Sequence, residues 1–192
     1  MGNKLQRAVL WGAADKRIPG FSWMVCGQIA RQAGRFELGL KAPSWGYAAA
    51  MLAIRADMAG KPWDMVQLWS HGVPGHPYMG GDKYTAREDK EALRMIGNVM
   101  NPKGTVWFRS CAVFSGSVGH DFAQRAAGLL GCRVAGHTFN IGPWQSGLHT
   151  LAPGDQPKWS TVEGNRDGTP LWSAPWEPNT ITALQWTIPR GW

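Results

Sequence analysis

Two residues able to do covalent chemistry close two similar apolar runs, 40 positions apart. His71 ends Met65-Val66-Gln67-Leu68-Trp69-Ser70-His71-Gly72, and Cys111 ends Thr105-Val106-Trp107-Phe108-Arg109-Ser110-Cys111. A cysteine attacks a carbonyl as its thiolate, and it needs a partner that assists deprotonation or returns a proton to the leaving group. A histidine within reach does both. Gly72, lacking a side chain, lets its backbone N–H approach a tetrahedral intermediate, and the N–H of Cys111 is a second oxyanion donor. Nucleophile, acid/base and oxyanion hole are thereby assigned with no metal or cofactor required.

The elements that must position this pair follow from the runs themselves. A short apolar run that stops at a small polar residue and then a reactive one reads as a buried strand delivering its last side chain to a sheet edge. Two adjacent parallel strands need a crossover of about a dozen residues or more, usually containing a helix. Residues 87–100 supply it: Ala92, Leu93, Met95, Ile96, Val99 and Met100 fall at helical spacing with charges opposite, and Asn101-Pro102-Lys103-Gly104 is a stop. The unit is a βαβ with both reactive residues at carboxyl ends, the edge where open α/β sheets bind ligands. Because side chains alternate along a strand, Trp107, Arg109 and Cys111 share one face while Phe108 and Ser110 share the other.

Around this unit, residues 5–12, 35–40 and 132–138 read as strands, 47–58 and 118–130 as helices, and 20–34 as a loop running into a helix. Ser117 or a neighbour is the expected cap of the 118–130 helix. Alternating strands and helices are the signature of an α/β three-layer sandwich with a mostly parallel central sheet. From residue 143 onward the chain carries seven of its 13 prolines and six of its 12 tryptophans, which makes long helices there improbable. A hairpin around residues 164–168 and a late strand at 180–188 are expected instead. Residues 1–192 thus read as a single domain, with 143–192 an irregular Pro/Trp-rich C-terminal extension packed over the sheet.

The strand ending Ser70-His71-Gly72, the strand ending Arg109-Ser110-Cys111-Ala112 and their separation resemble the caspase-like fold of cysteine peptidases. That fold includes caspases, clostripain, gingipains, separase and the self-processing protease domains of large clostridial toxins. The stretch from Cys111 to Arg133-Val134-Ala135-Gly136 is also similar to caspase-like domains of large bacterial surface proteins, so the resemblance covers residues 60–140. It implies a cysteine endopeptidase acting on a protein or peptide substrate through an acyl-enzyme, with His71 as general acid/base, Cys111 as nucleophile and Gly72 as oxyanion donor. The caspase run Gln-Ala-Cys-x-Gly is replaced here by Arg109-Ser110-Cys111-Ala112-Val113, so a caspase preference for Asp is not implied. Arg109 nevertheless stands two residues before the nucleophile, where several family members place a residue lining the first specificity pocket. A substrate-binding guanidinium there favours an acidic side chain.

Composition narrows the alternatives. A net charge of +7 would attract polyanions, yet the basic residues occur singly or in pairs, with no basic run, zinc-finger spacing or RNA-binding aromatic motif. A solvated basic surface is the simpler reading. No apolar run approaches the roughly 20 residues of a membrane span, and residues 8–14 are too short, and too soon followed by Asp15-Lys16-Arg17, for a signal peptide. Three cysteines point to thiols in a reducing, cytoplasmic setting, with a secreted effector as the other possibility. Cys26 and Cys132 read as small buried hydrophobes, and His76, His120, His137 and His149, lacking zinc spacing, as structural or surface residues. Two further functions share the same residues: a non-catalytic binding or inhibitory module on this fold, and a basic nucleic-acid-binding protein, the latter marked by steep salt dependence.

Overall fold

In the computed structural model, which describes residues 5–12, 33–80, 82–83 and 89–192, the two apolar runs lie side by side as parallel strands at the centre of a six-stranded sheet. The strands are β1 (Arg7–Gly12), β2 (Leu38–Ala42), β3 (Trp63–Trp69), β4 (Gly72–Val73), β5 (His76–Met79), β6 (Asp82–Lys83), β7 (Met100–Arg109), β8 (Arg133–His137), β9 (Trp144–Gln145), β10 (Leu148–Leu151), β11 (Asn165–Arg166), β12 (Thr169–Pro170) and β13 (Ile181–Thr182). The helices are α1 (Trp45–Ala59), α2 (Asp89–Gly97) and α3 (Gly116–Leu130). The sheet order is β10-β8-β7-β3-β1-β2, with every neighbouring pair parallel except β8 and β10. The expected mixed α/β architecture with a mostly parallel central sheet is the one observed. The expected helix within 20–34, up to residue 32, and Cys26 lie outside the described residues.

The steps β2 to β3, β3 to β7 and β7 to β8 all move the same way across the sheet, so right-handed crossovers set α1, α2 and α3 on one face. There Leu52, Leu93, Ile96, Phe122 and Leu130 close over Val66, Leu68, Val106 and Phe108. Each large side chain so buried contributes about 1.5–3 kcal/mol of transfer free energy. Ser44 caps α1 by accepting from the N–H of Tyr47 at 3.2 Å, and left-handed Gly60 and Gly131 end α1 and α3. Ser115, rather than Ser117, holds the cap position of α3.

The opposite face takes its cover from the C-terminal segment. Val9, Trp11 and Trp69 pack with Phe36 and Trp186, while Trp107, Ala135 and Leu148 pack with Ile181, Ile188 and Trp192. Among the described residues this second outer layer contains no helix, in keeping with its prolines. No helix among the described residues is long and apolar enough to cross a membrane.

Three boundaries differ from expectation, each for a local reason. Helix α2 ends at Gly97, where an added Cβ would stand 2.8 Å from the carbonyl of Leu130; Met100 then opens β7. The 101–104 stop forms an irregularity inside that strand, as the register moves from Trp63↔Met100 to Met65↔Thr105. Of the 180–188 strand only Ile181–Thr182 pairs: the Ala183 N–H still reaches the Pro143 carbonyl at 2.9 Å, but Pro143 has no N–H to return and the ladder ends. The 164–168 hairpin is present as β11 and β12 around Asp167-Gly168, both at positive φ (51° and 82°), the two-residue turn whose twist suits a hairpin.

Candidate active site

Adjacent β3 and β7 are in register at Trp69↔Arg109, the last pair of their ladder. The same register carries on past the strands: the N–H of Ser70 donates to the Arg109 carbonyl at 3.4 Å, and the buried hydroxyls of Ser70 and Ser110 are 2.7 Å apart. His71 and Cys111 are the next residues of the two chains, both part-buried, so the fold brings them to neighbouring strand ends at the carboxyl edge. A parallel ladder with one registered hydroxyl pair leaves no freedom for one end to slip past the other.

Beyond His71 the chain turns into the β4–β5 hairpin, held by the N–H of Tyr78 donating to the His71 carbonyl at 2.8 Å. Gly72 sits so close to the other strand end that an added Cβ would meet the Cys111 carbonyl oxygen at 2.6 Å and the Ser110 Cβ at 2.9 Å. Only glycine fits there, for closeness of approach rather than for its backbone angles. Beyond Cys111, Ala112 takes a positive φ of 51°, unusual for a residue with a Cβ. Its N–H donates to the Phe139 carbonyl at 2.8 Å, and that of Phe114 to the His137 carbonyl at 3.0 Å. Cys111 therefore begins a sharp, anchored turn into α3.

The Cys111 sulfur faces the loop after β8. The N–H of Ile141 donates to Sγ at 3.4 Å, and the thiol lies 3.8 Å from the Ile141 carbonyl oxygen. Burial pushes the Cys111 thiol up, against the lowering effect of N–H groups from Ile141 and from Cys111 itself. Burial thus works against a standing thiolate, so a base is needed to take the proton before sulfur can act. Asn140 fixes the loop from outside: its N–H donates to the Leu171 carbonyl at 2.8 Å, its carbonyl accepts from the N–H of Ser173 at 2.9 Å, and its Nδ2 donates to the Pro170 carbonyl at 3.1 Å.

Arg109 is placed otherwise than a substrate-reading residue. Its side chain is wholly buried, with the guanidinium carbon 4.1 Å from the Trp69 ring centroid and 4.3 Å from that of Trp107. Nε and Nη2 donate to Gln145 Oε1 at 2.9 and 2.6 Å, and Nη1 donates to Gln67 Oε1 at 3.2 Å. The carbonyls of Thr182, Ala183 and Gln185 accept the rest at 3.3, 3.2 and 2.9 Å. With its donors committed and two indoles packed against it, the guanidinium offers nothing to a substrate carboxylate. Arg109 is a rivet between the sheet and the C-terminal layer.

Two of the remaining histidines are held in tight local networks. His137 is wholly buried, its Nε2 accepting from Trp107 Nε1 at 3.2 Å, so that Nδ1–H donates to the Ser146 carbonyl at 3.1 Å. Burial, with the charge of Arg109 added, lowers its pKa to about 3. His149 donates to Glu163 at 2.6 Å, and its ring stacks on Trp159 at 4.8 Å between centroids. Burial works to raise the Glu163 carboxyl, but the hydrogen bonds from His149 and Thr138 and the charge of His149 outweigh it and hold it low.

The structure sets the expected residues His71, Cys111 and Gly72 at adjoining strand ends and adds two features the sequence reading did not name. The Ser70–Ser110 hydroxyl pair has a visible signal, since a serine precedes each reactive residue. Ile141 has none, since it acts through its backbone.

No curated protein matches the chain. Among solved structures it is similar to a secreted C11 cysteine protease from Bacteroides thetaiotaomicron in complex with an irreversible peptide inhibitor, at 16% identity and a TM-score of 0.39. That likeness covers 72% of this chain and 50% of the protease, so the chain spans half of its length. Residues 48–149, which run from α1 through β3, β7 and β8 into β10 and include both His71 and Cys111, match the sequence model of one family. The chain belongs to that family, a domain of unknown function designated DUF4347.

Proposed function

We propose that the chain is a caspase-like cysteine endopeptidase in which Cys111 is the nucleophile and His71 the acid/base. The observation that carries this reading is the β3–β7 register, which sets a histidine and a cysteine at neighbouring carboxyl ends with a glycine packed against the cysteine carbonyl. His71 takes the thiol proton as Sγ bonds to the peptide carbonyl carbon. The oxyanion accepts from the N–H groups of Gly72 and Cys111. Collapse breaks the C–N bond as His71 gives its proton to the departing amine, leaving a thioester on Cys111. Water, losing its proton to His71, attacks the thioester and releases the acid, and the proton returns to sulfur.

Treatment of the wild type, Cys111→Ala and His71→Ala with peptidyl acyloxymethyl ketones, read by intact mass, tests this assignment. One adduct on the wild type, none on Cys111→Ala and a strong reduction on His71→Ala are expected. Equal labelling of all three would overturn it. The raised Cys111 thiol and its contact with Ile141 favour a second reading, a non-catalytic binding module, which predicts no adduct with any probe.

A further inference from the structure

Five stretches joined around the Cys111 turn carry no charged residue. Residues 70–79, 110–119, 139–147, 170–176 and 178–189 contain no Asp, Glu, Lys or Arg, although charged residues make up 17% of the sequence. These stretches are the His71 strand end and its hairpin, the Cys111 turn, the loop bearing Ile141, the segment paired with Asn140, and the segment bonded to Arg109. The Arg109 guanidinium, the nearest charge in sequence, is sealed. Of the carboxylates beside these stretches, Glu163 is already bonded to His149 and Thr138 and Glu177 stands between the last two stretches, so within the stretches themselves no described side chain supplies the counter-charge that a pocket selecting Asp or Arg needs.

Large apolar side chains stand exposed on segments joined to the Ile141 loop. Trp172 is 70% exposed and bridges, through its backbone, to Asn140, the neighbour of Ile141. Trp144 is 42% exposed and closes the same loop, its carbonyl accepting from the N–H of Gly142 at 2.9 Å. On the His71 side, Val73 and Val118 are also exposed, and the Pro74-Gly75 turn that follows Val73 packs on Val118, where a Cβ on Gly75 would meet the Val118 Cβ at 3.3 Å. Single exposed hydrophobics are ordinary, but two indoles anchored to a loop that touches the sulfur, on stretches without charge, are the pattern of a surface that desolvates an apolar group.

We infer that the substrate is a polypeptide with an aromatic or large aliphatic residue beside the scissile bond, and that Trp172 and Trp144 are the residues that receive it. The inference rests on the cysteine-peptidase reading and replaces acidic selection by Arg109. An indole face accepts a phenyl or leucyl side chain by stacking and apolar burial and offers nothing to a carboxylate. Rejection of charged residues then follows from desolvation without a counter-ion.

The test measures second-order labelling of Cys111 by peptidyl acyloxymethyl ketones that differ only in Phe, Leu, Gly, Asp or Arg at the cleavage position. The wild type, Trp172→Ala, Trp144→Ala and Trp172→Phe are compared. The Phe and Leu probes are expected to react about tenfold or more faster than the Gly, Asp and Arg probes. That advantage is lost in Trp172→Ala or Trp144→Ala and kept in Trp172→Phe, each probe rate being divided by the same protein's iodoacetamide rate so that a general change in thiol reactivity cancels. Fastest labelling by the Asp or Arg probe, or an unchanged Phe advantage in both alanine variants, overturns this inference and leaves the peptidase standing. Failure of every peptide probe, with iodoacetamide still reacting, removes both.

Discussion

Burial at Cys111 favours the thiol over a standing thiolate, and that has a measurable consequence. Its alkylation by iodoacetamide is expected to rise with pH through an inflection above the ordinary thiol range, since burial outweighs the N–H groups of Ile141 and Cys111. Fast, pH-independent alkylation between about pH 6 and 7 would mean a preformed thiolate and a different role for His71. Gly72 gives the second prediction at this scale. In Gly72→Ala the new Cβ meets the Cys111 carbonyl oxygen at 2.6 Å and the Ser110 Cβ at 2.9 Å, so the two strand ends must part. A shift of about 1 Å at a reacting pair costs on the order of 100-fold, so kcat/KM should fall by that much while the melting temperature drops only a few degrees. Activity within about twofold of the wild type would show that this approach is not part of the catalytic geometry.

The elements that matter most are β3 and β7, and their βαβ linkage is legible in the sequence because each strand is a short apolar run ended by a serine and a reactive residue. The hairpin at Asp167-Gly168 and the glycine ends of α1 and α3 are legible for the same kind of reason: local backbone chemistry announces them. What is not legible depends on partners far along the chain. Arg109 reads as an available guanidinium until Gln145, Thr182, Ala183 and Gln185 arrive from 36 to 76 positions later to bury it. Replacing Arg109 by Met keeps length but leaves these acceptors unsatisfied in an apolar layer. A loss of about 3–5 kcal/mol in urea unfolding is expected. Early protease cleavage within 178–192 should accompany it, and a loss under about 1 kcal/mol would show that the rivet is dispensable.

For the whole molecule, the sheet carries its helices on one face and depends on the Pro/Trp-rich C-terminal segment to cover the other, with His137 neutral between them. Unfolded, that histidine takes a proton as pH falls through 6.5; folded, it resists until about 3. Its native pKa is depressed, so the stability it contributes is present above 6.5 and is lost progressively as pH falls from 6.5 towards 3. Thermal melts should show this acid slope in the wild type and a shallower one in His137→Gln; equal slopes would place the acid sensitivity elsewhere. The central claim, that the register of two strands builds a peptidase, is tested most directly by quenching a single turnover of a peptide substrate in acid and weighing the enzyme. The account predicts a thioester on the fragment containing Cys111, strongly diminished in His71→Ala and absent in Cys111→Ala. Peptide cleavage by Cys111→Ala at the wild-type rate, or turnover with no acyl adduct on Cys111, would contradict it.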